Sequence, residues 1–330
     1  MISRAALAVA ILLVPQLAGA AIGNYKDQKR EVEISNSQLM IDATGTILVQ
    51  PATSSVAVYG VHDTQLLIGT TEPILIDDPY THIPLGQFPL HGSNNKFGRS
   101  DDVDAEATDV WGMANTTDDQ ILWLRPTTNR VHELYSTDAD DSGPSGNGCR
   151  TLKVQGTGHG DFSVASETLT MNGQSYVPTL NTYSRINRMS CQTFGTTSMN
   201  EGNIYAIAQV DASSQNVITA NFGQSLHAIW SCPLGHTCLV TNYYASMNKS
   251  GGASGAADIT LFTRSNADNG ESGWTVKHVL GLITTGTSYF QHKFMPYFKV
   301  SEKTDIKIQA FGSTANLDVS AGFDVIEVLD

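Results

Sequence analysis

The chain has 330 residues, a formal net charge of −13, 41 % hydrophobic and only 15 % charged residues, and 29 glycines. That length suffices for one large or two ordinary domains with real cores, and turn formers with few charges suit short strands better than helices. In residues 101–141 eleven acids (Asp101, Asp102, Asp104, Glu106, Asp109, Asp118, Asp119, Glu133, Asp138, Asp140, Asp141) oppose only Arg125 and Arg130, so that segment alone supplies −11 + 2 = −9. Such a surface repels phosphate, so direct nucleic-acid binding is not expected.

Met1-Ile2-Ser3-Arg4 is a short basic start, residues 5–14 are apolar, and Ala18-Gly19-Ala20 resembles a signal-peptidase site. The pattern matches a secretory signal and is too short for a comfortable membrane span; a start codon placed too far upstream produces the same stretch. Residues 21–100 follow as an extended region carrying Pro51, Pro73, Pro79, Pro84 and Pro89, with short strand candidates at 54–59 and 65–68. Proline avoids central strand positions, so this region reads as an arm laid along a neighbour or as a surface linker.

From Thr108 the strand rhythm is regular. Apolar and polar residues alternate in Ile259-Thr260-Leu261-Phe262-Thr263, in Ile306-Lys307-Ile308-Gln309-Ala310 and in Val325-Ile326-Glu327-Val328. This period puts one strand face on a core and the other in water. About fourteen strand candidates, among them 130–136, 150–154, 183–190, 239–247 and 322–329, are separated by turn signals at sandwich or jelly-roll spacing. The expected fold is all-β: two jelly-roll-like β-sandwich domains, 101–222 and 223–330, preceded by the segment 1–20 and the arm 21–100. No helix of more than two turns is expected after residue 30.

Little chemistry is laid over this pattern. Asp138, Asp140 and Ser142, followed by Gly143, place oxygens where a calcium loop has its first ligands. Position twelve is Cys149, where a bidentate Glu is needed, so an EF-hand is excluded; a looser strand-loop calcium site and a plain turn both remain open. Cys232 and Cys238 flank Pro233-Leu234-Gly235 between two strand candidates. They read either as a disulfide across a hairpin or as two buried thiols; a zinc site with His236 lacks a fourth ligand. The nine histidines are scattered, no nucleophile elbow or phosphate loop occurs, and only a Cys191–histidine dyad stays open. For a binding function, Tyr243, Tyr244, Trp274, Tyr289 and Tyr297 are the aromatic candidates.

Several blocks carry a resemblance. They include Lys96-Phe97-Gly98-Arg99, Thr108-Asp109-Val110-Trp111, Gln120-Ile121-Leu122-Trp123-Leu124, Gly148-Cys149-Arg150-Thr151-Leu152-Lys153-Val154 and Arg185-Ile186-Asn187-Arg188. The most specific are Val276-Lys277-His278-Val279-Leu280-Gly281-Leu282, Ser301-Glu302-Lys303-Thr304-Asp305-Ile306 and Asp318-Val319-Ser320-Ala321-Gly322-Phe323-Asp324. Over roughly residues 96–330 the chain resembles a family of virion structural proteins of tailed phages, especially marine ones. The resemblance implies a non-enzymatic capsid decoration, head-fibre or tail component, with no catalytic or cofactor residues, whose partners are other copies and other virion proteins. The alternative is an exported, secreted or periplasmic β module gripping a glycan or cell-surface ligand.

Overall fold

The computed structural model of the chain describes residues 38–41, 47–50, 79–112, 122–249, 254–265, 267–268 and 272–330. The segment 1–20 and the arm residues 51–78, with Leu66, Leu67 and Ile68, lie outside the described residues. The chain divides into two compact units, Met1–Pro79 and Tyr80–Asp330. In the first, β1 (Gln38–Ile41) and β2 (Ile47–Gln50) form an antiparallel pair. Among the described residues the helix content is one turn, α1 (Pro79–His82).

The second unit is all-β, with four larger antiparallel sheets. One has the order β16–β13–β18–β3, formed by Tyr289–Val300, His236–Lys249, Leu317–Leu329 and His91–Val103. The next has the order β12–β17–β14–β15, formed by Ile229–Ser231, Asp305–Gly312, Ala256–Arg264 and Thr275–Ile283; β4 (Thr108–Asp109) adds to β17. These two sheets share one hydrophobic core. A third runs β11–β10–β5–β8, from Ser214–Ile218, Ile204–Ala208, His132–Ser136 and Val177–Pro178. The fourth runs β7–β6–β9, from Ser163–Thr170, Cys149–Gly158 and Tyr183–Phe194. These last two share a second core.

The alternation of the sequence explains these faces. On β18, Leu317, Val319, Ala321, Phe323 and Val325 all enter the first core. On β13 the parity flips: Cys238 and Val240 point inward, then Tyr243, Ala245 and Met247. The flip is a register shift between Val240 and Asn242, present against both neighbouring strands, and a bulge of this kind re-aims every side chain beyond it.

Strand β3 runs across the expected boundary between the arm, 21–100, and the first sandwich, 101–222, and pairs with β18, the last strand of the chain. Its sequence hides the strand because the inward positions include Lys96 and Ser100.

Between the two cores lies a smaller cluster of Trp111, Trp123, Val217 and Ile229, with Trp274 packed against it. Charged groups are buried beside it. Asp305 of β17 accepts from Arg185 Nε at 3.0 Å and Nη2 at 3.0 Å, from Arg264 Nε at 3.2 Å and from Ser231 Oγ at 2.5 Å. Asp305 and Arg185 are almost completely buried. Burial alone raises the Asp305 pKa, but the two guanidiniums outweigh it and hold the carboxyl below its ordinary value. Removing one partner of such a buried pair costs about 3–5 kcal/mol, because the other charge is left bare. Lys307 and Asp109 form a second buried pair at 2.7 Å.

His132 generates a testable expectation. Burial pushes its imidazole from the ordinary 6.5 down to about 4. The folded state therefore refuses a proton that the unfolded chain accepts between those values, so stability falls as pH drops from about 6.5 to 4, by up to about 3 kcal/mol from this group. His227 is shifted in the same direction. Urea midpoints measured across this window should fall less steeply for His132→Gln than for the wild type; parallel slopes would contradict the assignment.

Candidate functional site

The most unusual surface is an edge. Among the described residues β15 pairs only with β14, and β16 only with β13, so each closes one sheet of the first core. Consecutive in the chain, they present Val276, Val279, Ile283, Tyr289, Phe290 and Met295 to solvent, Met295 at 87 % exposure. Residues 275–300 carry Lys277, Lys293, Lys299, His278 and His292 and no acid, in a chain of net charge −13. Pro296 lacks an amide donor and the lysines discourage strand addition, so this edge does not invite a further strand.

Behind the edge the side chains are ordered. The Tyr243 hydroxyl and His278 Nδ1 lie 2.5 Å apart, and the rings of His278 and His292 stack with centroids at 4.1 Å. Burial, then the neighbouring His292, lowers the His278 pKa. Phe294 closes the group against His292.

A second feature is a cleft of about 340 Å³ whose lining includes Asn94, Lys96, Gln155, Arg188, Trp230 and Glu327. These come from β3, β6, β9, β12 and β18, so sheets of both cores build its walls.

The residues singled out in the sequence fall as follows. Cys232 and Cys238 are joined by a disulfide, with Cα atoms 6.2 Å apart. The expected hairpin is corrected: β12 pairs with β17 while β13 pairs with β16 and β18, so the bridge ties two sheets at a corner. The cause lies in the turn, where the Cys232 amide and carbonyl continue the ladder to Thr304 and Lys303, and Pro233 then leads the chain away. With both sulfurs bonded, the zinc reading with His236 falls. Cys149 and Cys191 form a second disulfide across β6 and β9, which removes the Cys191–histidine dyad. Their 42-residue separation hid the pair; the available signal was one cysteine next to each of two strand candidates, 150–154 and 183–190.

Asp138, Asp140 and Ser142 belong to a turn held by a residue the calcium pattern passed over. Asp141 is buried, and its carboxylate accepts from the amides of Cys149, Glu201 and Gly202 and from Ser136 Oγ. Asp138 Oδ1 takes the Asp140 amide at 2.9 Å. Among the described residues no group of three or more His, Cys, Asp or Glu side chains is placed to hold a metal ion. Of the aromatic candidates, Tyr289 is exposed on the edge, Tyr243 is buried, and Trp274 lies 4.5 Å beneath the Arg264 guanidinium.

No family model matches this chain, and no curated protein does. Among solved structures it is similar to the N-terminal CBM22-1–CBM22-2 tandem domain of Paenibacillus barcinonensis Xyn10C, at 11 % identity, over 72 % of this chain and all of that one, with a TM-score of 0.20. A likeness that distant carries no argument about fold or function.

The Cys149–Cys191 bridge closes a long loop, so its loss should cost about 4 kcal/mol in the chain-entropy picture. Thiol titration of the denatured, unreduced protein should find no free cysteine. A reductant should lower the urea midpoint, and an unchanged midpoint would contradict a stabilising role for the bridges.

Proposed function

We propose that the chain is a non-enzymatic structural component of a tailed-phage virion, a capsid decoration, head-fibre or tail protein, that works through assembly contacts. The observation that carries the reading is the acid-free, apolar β15–β16 edge on an otherwise acidic chain. Contiguous exposed apolar side chains mark interaction surfaces. Their basic setting suits the acidic residues 101–141 of another copy, and symmetric copies are the rule for such assemblies. The resemblance of residues 96–330 to phage structural proteins supports the same reading.

In this proposal each core is one β-sandwich. The second core lies within 101–222; the first spans 223–330 and recruits β3 and β4 from upstream. The arm is a second contact region, and its described residues Phe88 and Leu90 are exposed. Two disulfides fit an extracellular particle, since virion surfaces meet oxidising conditions after release.

The cleft and the disulfides support a second reading, an exported module for a glycan or cell-surface ligand. Sedimentation of the full chain, alone and mixed with tailed-phage particles, separates the two. Assembly predicts oligomers or co-sedimentation with particles, weakened about tenfold or more by Met295→Glu with Val279→Glu, because a charge is forced into an apolar contact. A strictly monomeric protein that never joins particles would defeat it in favour of the exported module.

A further inference from the structure

The cleft between the two cores holds positive charge without a carboxylate to answer it. Lys96 is 2 % exposed, and its Nζ donates to the Asn187 carbonyl. Arg188 donates to the Asn94 side chain at 3.3 Å and to the Asn95 carbonyl. Neither forms an ion pair among the described residues. The one carboxyl on the lining, Glu327, is engaged elsewhere, accepting from Asn94 at 3.4 Å with His236 at 3.8 Å. Buried charges are normally paired, and two cations side by side on one cavity wall are costly unless an anion joins them.

We propose that this cleft binds a small acidic sugar, its carboxylate taken by Lys96 and Arg188 and its hydroxyls by Gln155 and Ser166. A planar guanidinium beside an ammonium matches a carboxylate with charge-assisted hydrogen bonds. Ser93, Gln155 and Ser166 supply the amide and hydroxyl groups that ring hydroxyls need, and Val164, Ala165, Trp230 and Pro233 give the rest of the lining an apolar part. The volume of about 340 Å³ sits at the lower end of ligand pockets, on the scale of one or two sugar rings. The electrostatics agree: burial and then Arg188 lower the Lys96 pKa, and burial, then Lys96 and Arg188, depress His227, so an anion relieves the charge part of these shifts. The assembly edge takes no part in this site, so either proposal stands or falls without the other.

The test is calorimetric titration of the full chain near neutral pH with galacturonate and, separately, with galactose. Galacturonate should bind about tenfold or more tighter than galactose, the difference one well-placed charged contact supplies. Arg188→Gln, at a half-buried position, should lose about tenfold in galacturonate affinity while keeping its melting temperature. Three results would each overturn the proposal: no binding heat with galacturonate, equal affinity for the neutral sugar, or wild-type affinity in Arg188→Gln. The comparison of the two sugars needs no variant, so it decides even if the substituted protein fails to fold.

Discussion

Asp305 is the residue on which the arrangement of the second unit turns. It is fully buried and shared between Arg185 of β9 and Arg264 of β14, so one carboxylate joins a sheet of the second core to a sheet of the first. One negative charge between two guanidiniums leaves a surplus of positive charge. The aromatic faces absorb it: Arg185 lies 5.5 Å from the Trp123 ring and 5.1 Å from Phe162, and Arg264 lies 4.5 Å from Trp274. Such contacts gain strength where water is absent, which is the condition at this joint. Lys307 repeats the device, paired with Asp109 and set 4.7 Å from the same Trp274 ring.

The two proposed surfaces inherit this constraint. The cleft has walls on β3, β9 and β18, from both cores, so a ligand site there needs the joint held fixed. The β15 half of the edge hangs on β14, the strand that carries Arg264, while β16 pairs with β13. A contact protein gains affinity from rigidity because less freedom is lost on docking. The buried ion pairs are thus read as a device for a fixed shape more than for stability, since replacing such pairs by apolar residues is often neutral.

Much of the fold was legible. The strands β14, β17 and β18 alternate cleanly because one face is apolar and core-bound. β3 was missed because its inward face carries Lys96 and Ser100, and β16 was largely hidden because Tyr289, Met295 and Tyr297 put apolar side chains on the face opposite Phe290, Phe294 and Phe298, so no clean alternation shows. The functional surfaces were less legible for a common reason. The edge depends on which strands lack a neighbour, and the Arg185–Asp305 contact spans 120 residues, so no local pattern announces either. The calcium-like run misled because its buried member, Asp141, points its oxygens at backbone amides, whereas Asp138 and Asp140 only shape the turn.

The central claim is that the buried carboxylate makes both cores of the second unit one cooperative body. Scanning calorimetry of the full chain measures this directly, with Asp305→Ala as the comparison. The account predicts that both cores of the wild type melt in one transition, with a ratio of calorimetric to van't Hoff enthalpy of about one. In Asp305→Ala, Arg185 and Arg264 lose their shared partner, and the transition should drop and separate into two. Two independent transitions in the wild type, or a variant that melts as the wild type does, would contradict it.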